Sequence, residues 1–458
     1  MGVRAQGRGR ASARPWAGRT LHFVGVAGAG MSAYARAAAA LGAAVSGSDR
    51  APSAFSAALH ADGVLDVAIG HRPENIPAGD AVEVYCSAAI AAENPERVAA
   101  LARGLAVRSR AQLLGELTAL RRTIAVAGAH GKTTTAGMVV SALRAGGLEP
   151  GYLIGGILRE TGRNGDWTSA EWLVVEADES DRSMLELNAE IAVLTSVELD
   201  HHDTFGSLRE LEEDYRAFLG RAPQAVVWDR PQLRALRDGP LVAYDASPVT
   251  LTAGGSRFAF DGLLVELAVP GEHNARNAAA ALAVADLVGV DVATAARGLA
   301  RFGGAARRFE RLGRTASGVE VYDDYAHHPT EIAATLAGAR TLGPSRLIAV
   351  FQPHLFSRTQ ALAREFGVAL AAADVVVVVD VYPAREAVAD YPGVSGLLLA
   401  EATVDAAPGK PTYWLPDRET AARVVAQLAL PGSLVVVMGA GDVDALGREL
   451  IAAEGGDA

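Results

Sequence analysis

The sequence predicts an α/β protein of three consecutive domains, each organised around a largely parallel sheet. Three observations lead there. The chain has 458 residues, and at roughly 100–200 residues per domain that length suits about three. Short apolar runs alternate with longer Ala-rich segments free of proline, the pattern of buried strands and covering helices. Half of the residues are apolar (50%), enough to fill real cores, which excludes a disordered or fibrous chain.

The first unit spans 18–118. LHFVGV (21–26) reads as a buried strand, Gly30 to Leu41 as a helix, and AAVSGSD (43–49) and VEVYCSAAI (82–90) as further strands. In the second unit, 119–305, TIAVAG (123–128) is a strand and 133–145 a helix, followed by strands EWLVVEAD (171–178) and EIAVLTSV (190–197). Short alternating segments separated by Gly, from roughly 240 to 270, suggest an antiparallel patch, and NARNAAAALAVADLVG (274–289) reads as a helix ending at a glycine. The third unit, 306–458, carries strands at VEVYDDY (319–325), RLIAVF (346–351), ADVVVVVDVY (373–382) and SLVVVMGAG (433–441). Residues 1–17 hold several Arg among Gly, Ala and Ser. They lack the apolar core of a signal peptide and read as a disordered tail.

Charge excludes some partners. The formal net charge is −11, a poor match for nucleic-acid phosphates. No apolar run approaches the roughly 20 residues a membrane helix needs. The one cysteine, Cys86, has no internal partner, which fits a reducing, cytoplasmic setting; it reads as a small buried hydrophobe. Among 42 basic side chains only two are lysines, Lys132 and Lys410. Where Arg is tolerated almost everywhere, a retained Lys points to a need for a compact ammonium. Lys410 sits in a PGKP turn and reads as solvated, whereas Lys132 sits in a glycine-rich loop.

That loop carries the strongest chemical signal. In TIAVAGAHGKTTT (123–135) a strand runs into Gly128-Ala129-His130-Gly131-Lys132-Thr133-Thr134, and a helix follows. Glycines let backbone N–H groups curl around phosphate oxygens, and the helix start adds roughly half a positive charge. Lys132 would reach the β- and γ-phosphates and the Thr133 hydroxyl would bind Mg²⁺. Val126 stands where the usual phosphate loop has its first Gly, so only GxxGKT is present. EADESD (176–181) follows the next strand; Glu176 lies at its C-terminal edge, where α/β sheets bind ligands and a carboxylate can hold a cation. Glu179 and Asp181 read mostly as a solvated turn. LDHHDTF (199–205) ends a third strand, with His201 a candidate for a second cation or a phosphate. In PGEHNARN (270–277), His273, Asn274 and Asn277 open a helix, the two Asn sharing one face. The cluster GVAGAGMS (25–32) is ordered GxxGxG rather than GxGxxG. It suits a pyrophosphate at a helix start better than a nicotinamide dinucleotide, with Asp49 in the ribose-binding place.

Taken together these strings resemble the Mur ligase family over nearly the whole chain, from about residue 20 to 445. HFVGVAGAGMS, GAHGKTTT, EADESD, DHHDTF, GEHNARN, RRFE (307–310), YDDYAHHPTE (322–331), FQPHLFSRT (351–359), DVYPARE (380–386) and MGAGD (438–442) occur in the family's order. Within it they look most like the members that add L-alanine. The resemblance implies a Rossmann-like N-terminal domain, a central phosphate-loop ATP domain and a Rossmann-like C-terminal domain. It also implies ATP-dependent ligation of L-alanine to the lactyl carboxylate of UDP-N-acetylmuramate, through an acyl phosphate, for peptidoglycan synthesis. Implied cofactors are ATP and Mg²⁺, with Mn²⁺ as a substitute; the protein would be a monomer or weak homodimer.

By the same resemblance Lys132, Glu176 and His201 are catalytic, and Thr133, Glu176 and His201 hold metal. Gly128, Ala129, His130, Gly131, Lys132, Thr133, Thr134, Asn277, Arg308, Asp324 and His327 bind ATP. Gly28, Ala29, Gly30, Met31, Ser48, Asp49, Ser87 and His273 bind the UDP-sugar, while His354 and Arg358 line the amino-acid pocket. Many family members carry Arg after the His of the PHxF string, where this chain has Leu355. Three other readings compete: a ligase adding a preformed peptide to the same UDP-sugar, a nicotinamide-dependent dehydrogenase, and a non-catalytic nucleotide-binding scaffold.

Overall fold

The computed structural model describes residues 14–200 and 204–453. Its first sheet runs, in spatial order, Ala68–Ile69, Ala44–Asp49, Thr20–Val24, Val82–Cys86 and Ala106–Ser109, all parallel. The helix Ala29–Ala40 follows the first strand directly. Residues 14–17 depart from the expected tail: Trp16 is buried at 6% exposure, with its amide bonded to Leu41 O and its ring under Arg19. An aromatic ring that can leave water will dock, and composition alone did not reveal the site for it. Residues 1–13 lie outside the described part.

The central sheet places Arg122–Ala127 between Trp172–Glu176 on one side and Ile191–Leu194 on the other. Gly151–Leu158 and Arg163–Asp166 extend it beyond the first neighbour, Gln224–Trp228 and Leu241–Tyr244 beyond the second. Strand order thus reverses at Arg122–Ala127, and such a reversal opens a crevice at the strands' C-terminal ends. The antiparallel patch is Val249–Thr252, Gly255–Phe260 and Leu263–Leu267. It is shorter than expected, because Leu241–Tyr244 joins the parallel sheet instead.

Ala richness has a packing purpose here. The helices Lys132–Ala145, Glu272–Leu287 and Val292–Leu299 pack on one face of the central sheet, and Ala278 to Ala281 are fully buried. A Cβ at Gly298 would lie 2.6 Å from Ala145 Cβ, so this approach tolerates no larger side chain.

The third sheet runs Glu310–Arg314, Glu320–Asp324, Ser433–Met438, Arg346–Phe351, Val375–Val378 and Thr412–Trp414, antiparallel only at the first pair. Its runs of Val and Ile are buried on both faces, as a helix-covered parallel sheet requires. Several strands end sooner than the apolar runs suggested: 82–90 stops at Cys86, 190–197 at Leu194 and 373–382 at Val378. In each case the chain leaves the ladder at the sheet's C-terminal edge to form loops. Among the described residues no helix is long and apolar enough to cross a membrane.

Candidate active site

Register brings the phosphate loop and its partners to one edge. Val126 pairs with Glu176 and Ala127 with Leu194. Residues 128–131, Glu176 and the segment after Leu194 therefore emerge side by side. Gly128 and Gly131 have φ of +130° and +80°, and a Cβ would lie 2.2 Å from Thr195 Oγ1 at the first and 2.6 Å from Asn277 Oδ1 at the second. Only glycine fits both the turn and the neighbours. The helix Lys132–Ala145 starts at once, with no side-chain cap at Gly131. Its first amides therefore face outward as an anion site.

Lys132 Nζ donates to Gly128 O at 2.8 Å and to Glu179 Oε1 at 2.8 Å. Burial opposes its charge, but Glu179, Asp178 and Glu176 outweigh that and raise its pKa above the ordinary value. Thr133 Oγ1 donates to Glu176 Oε2 at 2.9 Å, and the Gly155 amide reaches the same oxygen at 2.7 Å. A hydroxyl and a carboxylate, both hard oxygen donors beside a phosphate loop, fit a hard divalent cation. The acidic turn is not the solvated run expected. Glu179 is 2% exposed, and Asp181 and Asp178 hold Arg110 at 2.5 and 2.6 Å. Arg110 belongs to the N-terminal domain, so this turn clasps the two domains together. His201 lies outside the described residues.

In the N-terminal domain Gly28 caps the helix Ala29–Ala40 without a side-chain bond, leaving the amides of Ala29, Gly30 and Met31 at its positive end. Asp49 Oδ2 accepts from the Ala27 amide at 2.8 Å and so braces this turn; Ser87 lies against Gly25. Three expectations need correction. The Met31 side chain is 1% exposed and packs in the core, so only its amide can serve a ligand. The Ser48 hydroxyl is fully buried and donates to Glu96 at 2.8 Å, within a network joining His22 and Asn75. That network satisfies a buried carboxylate, which otherwise would not stay ionised; against burial, its bonds to His22, Asn75 and Ser48 bring Glu96 to a pKa of about 2. His273 folds back against Gly271. Burial first, then Arg276, lowers its pKa to about 4, and its other charged neighbours are Glu331, Arg308 and His130. It therefore stands near the phosphate loop and the C-terminal domain, not with the N-terminal glycine turn.

The third domain reaches into the same crevice. Asp324 accepts from the Phe309 and Ala326 amides at 2.8 and 2.7 Å. Burial raises its pKa to about 6 despite Arg308. Arg307 and Phe309 have φ of +58° and +48°. Bonds from Arg307 to Gly439 O and Gly441 O help hold this strained segment, and with it Arg308, in place. His327 and His354 are pushed by burial to about 4 and about 3, and their rings meet edge to face at 5.9 Å. Arg358, expected at the amino-acid pocket, is 2% exposed; its Nε and Nη2 donate to Asp200 Oδ1 of the central domain at 3.0 and 2.7 Å. Leu355 is buried with φ +71°, so its side chain presents no polar group to the crevice.

Successive segments of the chain match the Mur ligase family catalytic domain (20–122), the Mur ligase middle domain (126–285) and the Mur ligase glutamate ligase domain (307–441). The chain belongs to the Mur ligase family. It is 44% identical to a UDP-N-acetylmuramate–L-alanine ligase of Thermobifida fusca, over 95% of this chain and 96% of that one. A protein of the same name from Rubrobacter xylanophilus is 43% identical, over 94% and 99%. The crystal structure of the UDP-N-acetylmuramate–alanine ligase of Thermotoga maritima superposes with a TM-score of 0.82 at 26% identity, covering 95% of this chain and 98% of the other. A murein peptide ligase from Psychrobacter arcticus gives 0.71 at 25%, covering 96% and 99%.

In this Mur ligase, residues the motifs did not flag hold the site together. Glu198 accepts from His130 at 2.9 Å and from Thr330 Oγ1 at 2.9 Å, joining the phosphate loop to the C-terminal domain. Glu331 faces His130, His327 and Arg308. Asn164 donates to Ala29 O and Ser32 Oγ, tying the central sheet to the N-terminal helix. A strand-end Glu and a Glu four residues after His327 are weak sequence signals. Only the tertiary arrangement gives them partners. A cavity of about 930 Å³, lined by Arg121, Arg122, Glu171 and Glu190 among others, opens at the strands' opposite ends and holds none of these groups.

Proposed function

We propose that this chain is a cytoplasmic ATP-dependent ligase that joins L-alanine to the lactyl carboxylate of UDP-N-acetylmuramate in peptidoglycan precursor synthesis. Likeness along nearly the full length to ligases of that name carries the choice of acceptor and amino acid. The domain roles follow: 18–118 holds the UDP-sugar, 119–305 holds ATP, and 306–458 brings the amino acid and closes on the nucleotide. The peptide-adding alternative shares the fold but is less similar in the superposed structure.

The chemistry is acyl activation. A carboxylate oxygen of the acceptor attacks the γ-phosphorus of ATP, ADP leaves, and an acyl phosphate forms. The α-amine of alanine then attacks the acyl carbon, loses a proton, and phosphate departs with its bonding pair. Lys132 stays cationic beside the phosphate loop, so it neutralises the transferring phosphoryl group by exchanging a partner at Glu179 for a phosphate oxygen. Glu176 and Thr133, with His201 as a further candidate, would hold Mg²⁺, or Mn²⁺ in its place, which when bound offsets phosphate charge. The amides of Gly131, Lys132, Thr133 and Thr134 cradle the phosphates, those of Ala129 and His130 being taken by Ser196 O and Oγ, and Asn277, Arg308, Asp324 and His327 meet the nucleotide from facing domains. The amides at Gly28–Met31 take the pyrophosphate of the UDP-sugar, with Asp49 and Ser87 fixing that turn. His354 borders the alanine site, while Arg358 acts there through its bond to Asp200. Domains clasped by Arg110 and Arg358 exclude the water that would hydrolyse the acyl phosphate.

The test is phosphate release by the purified chain with ATP and UDP-N-acetylmuramate across an acceptor panel. L-Alanine should give turnover well above glycine, L-serine or a tripeptide. Preference for the tripeptide would shift the reading to the peptide-adding ligase.

A further inference from the structure

We propose that His130, Glu198 and His328 form a site for a divalent transition ion, Zn²⁺ being the best match, at the seam between the phosphate loop and the C-terminal domain. This goes beyond the ligase reading, and its test needs no turnover. One donor atom from each residue lies within 4.8 Å of the others. His130 Nε2 is 2.9 Å from Glu198 Oε2, His328 Nδ1 is 3.8 Å from Glu198 Oε1, and the two imidazole centroids are 4.9 Å apart. Tetrahedral zinc with ligands at about 2.0–2.1 Å separates its donors by about 3.3 Å. Side-chain shifts of about an ångström therefore close this set around an ion.

Donor chemistry selects the ion. Two imidazole nitrogens and one carboxylate suit a borderline-soft metal, whereas Mg²⁺ takes oxygen ligands and water. This separates the site from the oxygen pair Thr133–Glu176. The surroundings also fit. Glu331 Oε1 is 3.4 Å from His130 Nδ1, the ring nitrogen turned away from Glu198. A carboxylate on that nitrogen is the usual outer partner of a metal-bound imidazole, fixing its tautomer and ring orientation. Thr330 Oγ1 bonds both Glu198 oxygens at 2.9 and 3.0 Å and fixes that carboxylate. His328 is 3% exposed and caps the helix Pro329–Arg340, its Nδ1 accepting from the Thr330 amide at 3.4 Å, a long bond that a metal ion on that nitrogen replaces. Because His130 sits in the phosphate loop and His328 in another domain, bound Zn²⁺ ties the loop to the C-terminal domain.

The test is a Zn²⁺ titration of the chelator-stripped full-length chain, in millimolar Mg²⁺, against a chromophoric zinc competitor. The wild-type chain should take up one Zn²⁺ with sub-micromolar Kd. His328→Asn, which keeps an oxygen to cap the helix, and Glu198→Gln should each weaken binding at least about tenfold, while Glu176→Gln leaves it unchanged. No tight zinc on the wild-type chain, or tight zinc unaltered by the first two variants, would overturn the proposal. X-ray absorption on the wild-type zinc complex checks it independently of how the variants fold. Two imidazoles and a carboxylate support the site, and an all-oxygen shell refutes it.

Discussion

Lys132 shows what one residue can decide. Its ammonium fits between Gly128 O and a buried Glu179 carboxylate, a space shaped for a compact cation. Lys132→Ala should lower turnover by at least about 100-fold, the scale of removing one preorganised donor, while UDP-sugar affinity by calorimetry stays within about threefold of wild type. Lys132→Arg should fail as well, because a planar fork does not reproduce that point charge; near-normal turnover in either variant would remove Lys132 from the chemistry. His130 supplies a pH test. Burial opposes its charge, but bonds to Glu198 and Glu331 raise its pKa from 6.5 to about 9. Its folded value exceeds the unfolded one, so its stabilisation is complete below about pH 6.5 and is lost as pH rises towards about 9, at most about 3 kcal/mol. In chelator-treated protein, the stability advantage of wild type over His130→Gln should shrink across that window in denaturant titrations. An advantage that does not change with pH would contradict it. Lys132 was legible from sequence because lysine is rare here and the loop is local. Glu179 was not, because its burial depends on Lys132, 47 residues earlier, folding against it.

At the scale of elements, the phosphate loop works because a central strand, two positive-φ glycines and an uncapped helix follow one another without interruption. Gly131→Ala would need φ near +80° and would press a methyl against Asn277. The left-handed backbone alone costs about 1–2 kcal/mol. The expected result is a KM for ATP raised at least tenfold with secondary structure intact by circular dichroism; an unchanged KM would show that the loop does not need this geometry. The strand-and-helix order of all three units was readable because buried parallel strands write continuous apolar runs. Their ends were not, since Thr195, Ser196 and Val197 beyond Leu194 look alike whether they pair or peel away. The same limit hid Leu241–Tyr244, whose place in the parallel sheet depends on Gln224–Trp228 beside it.

For the whole molecule, the three domains meet through buried or half-buried ion pairs: Arg110 with Asp178 and Asp181, Arg358 with Asp200, and His130 with Glu331. Breaking one partner of such a pair leaves an uncompensated charge that regains water only if the interface opens. Arg358→Ala should therefore give a larger radius of gyration by solution scattering, with a folded far-ultraviolet spectrum. A profile superimposable on wild type would show that this pair does not hold the domains. No string of residues announces these contacts, since each joins segments far apart in sequence. The course of the proposed reaction can be followed with an isotope. UDP-N-acetylmuramate carrying ¹⁸O at both oxygens of the lactyl carboxylate is turned over with ATP and alanine, and the released phosphate is analysed by mass spectrometry. Attack of that carboxylate on the γ-phosphorus should leave one ¹⁸O in the phosphate at every turnover, whereas phosphate free of the label would contradict an acyl phosphate and the role assigned to the loop.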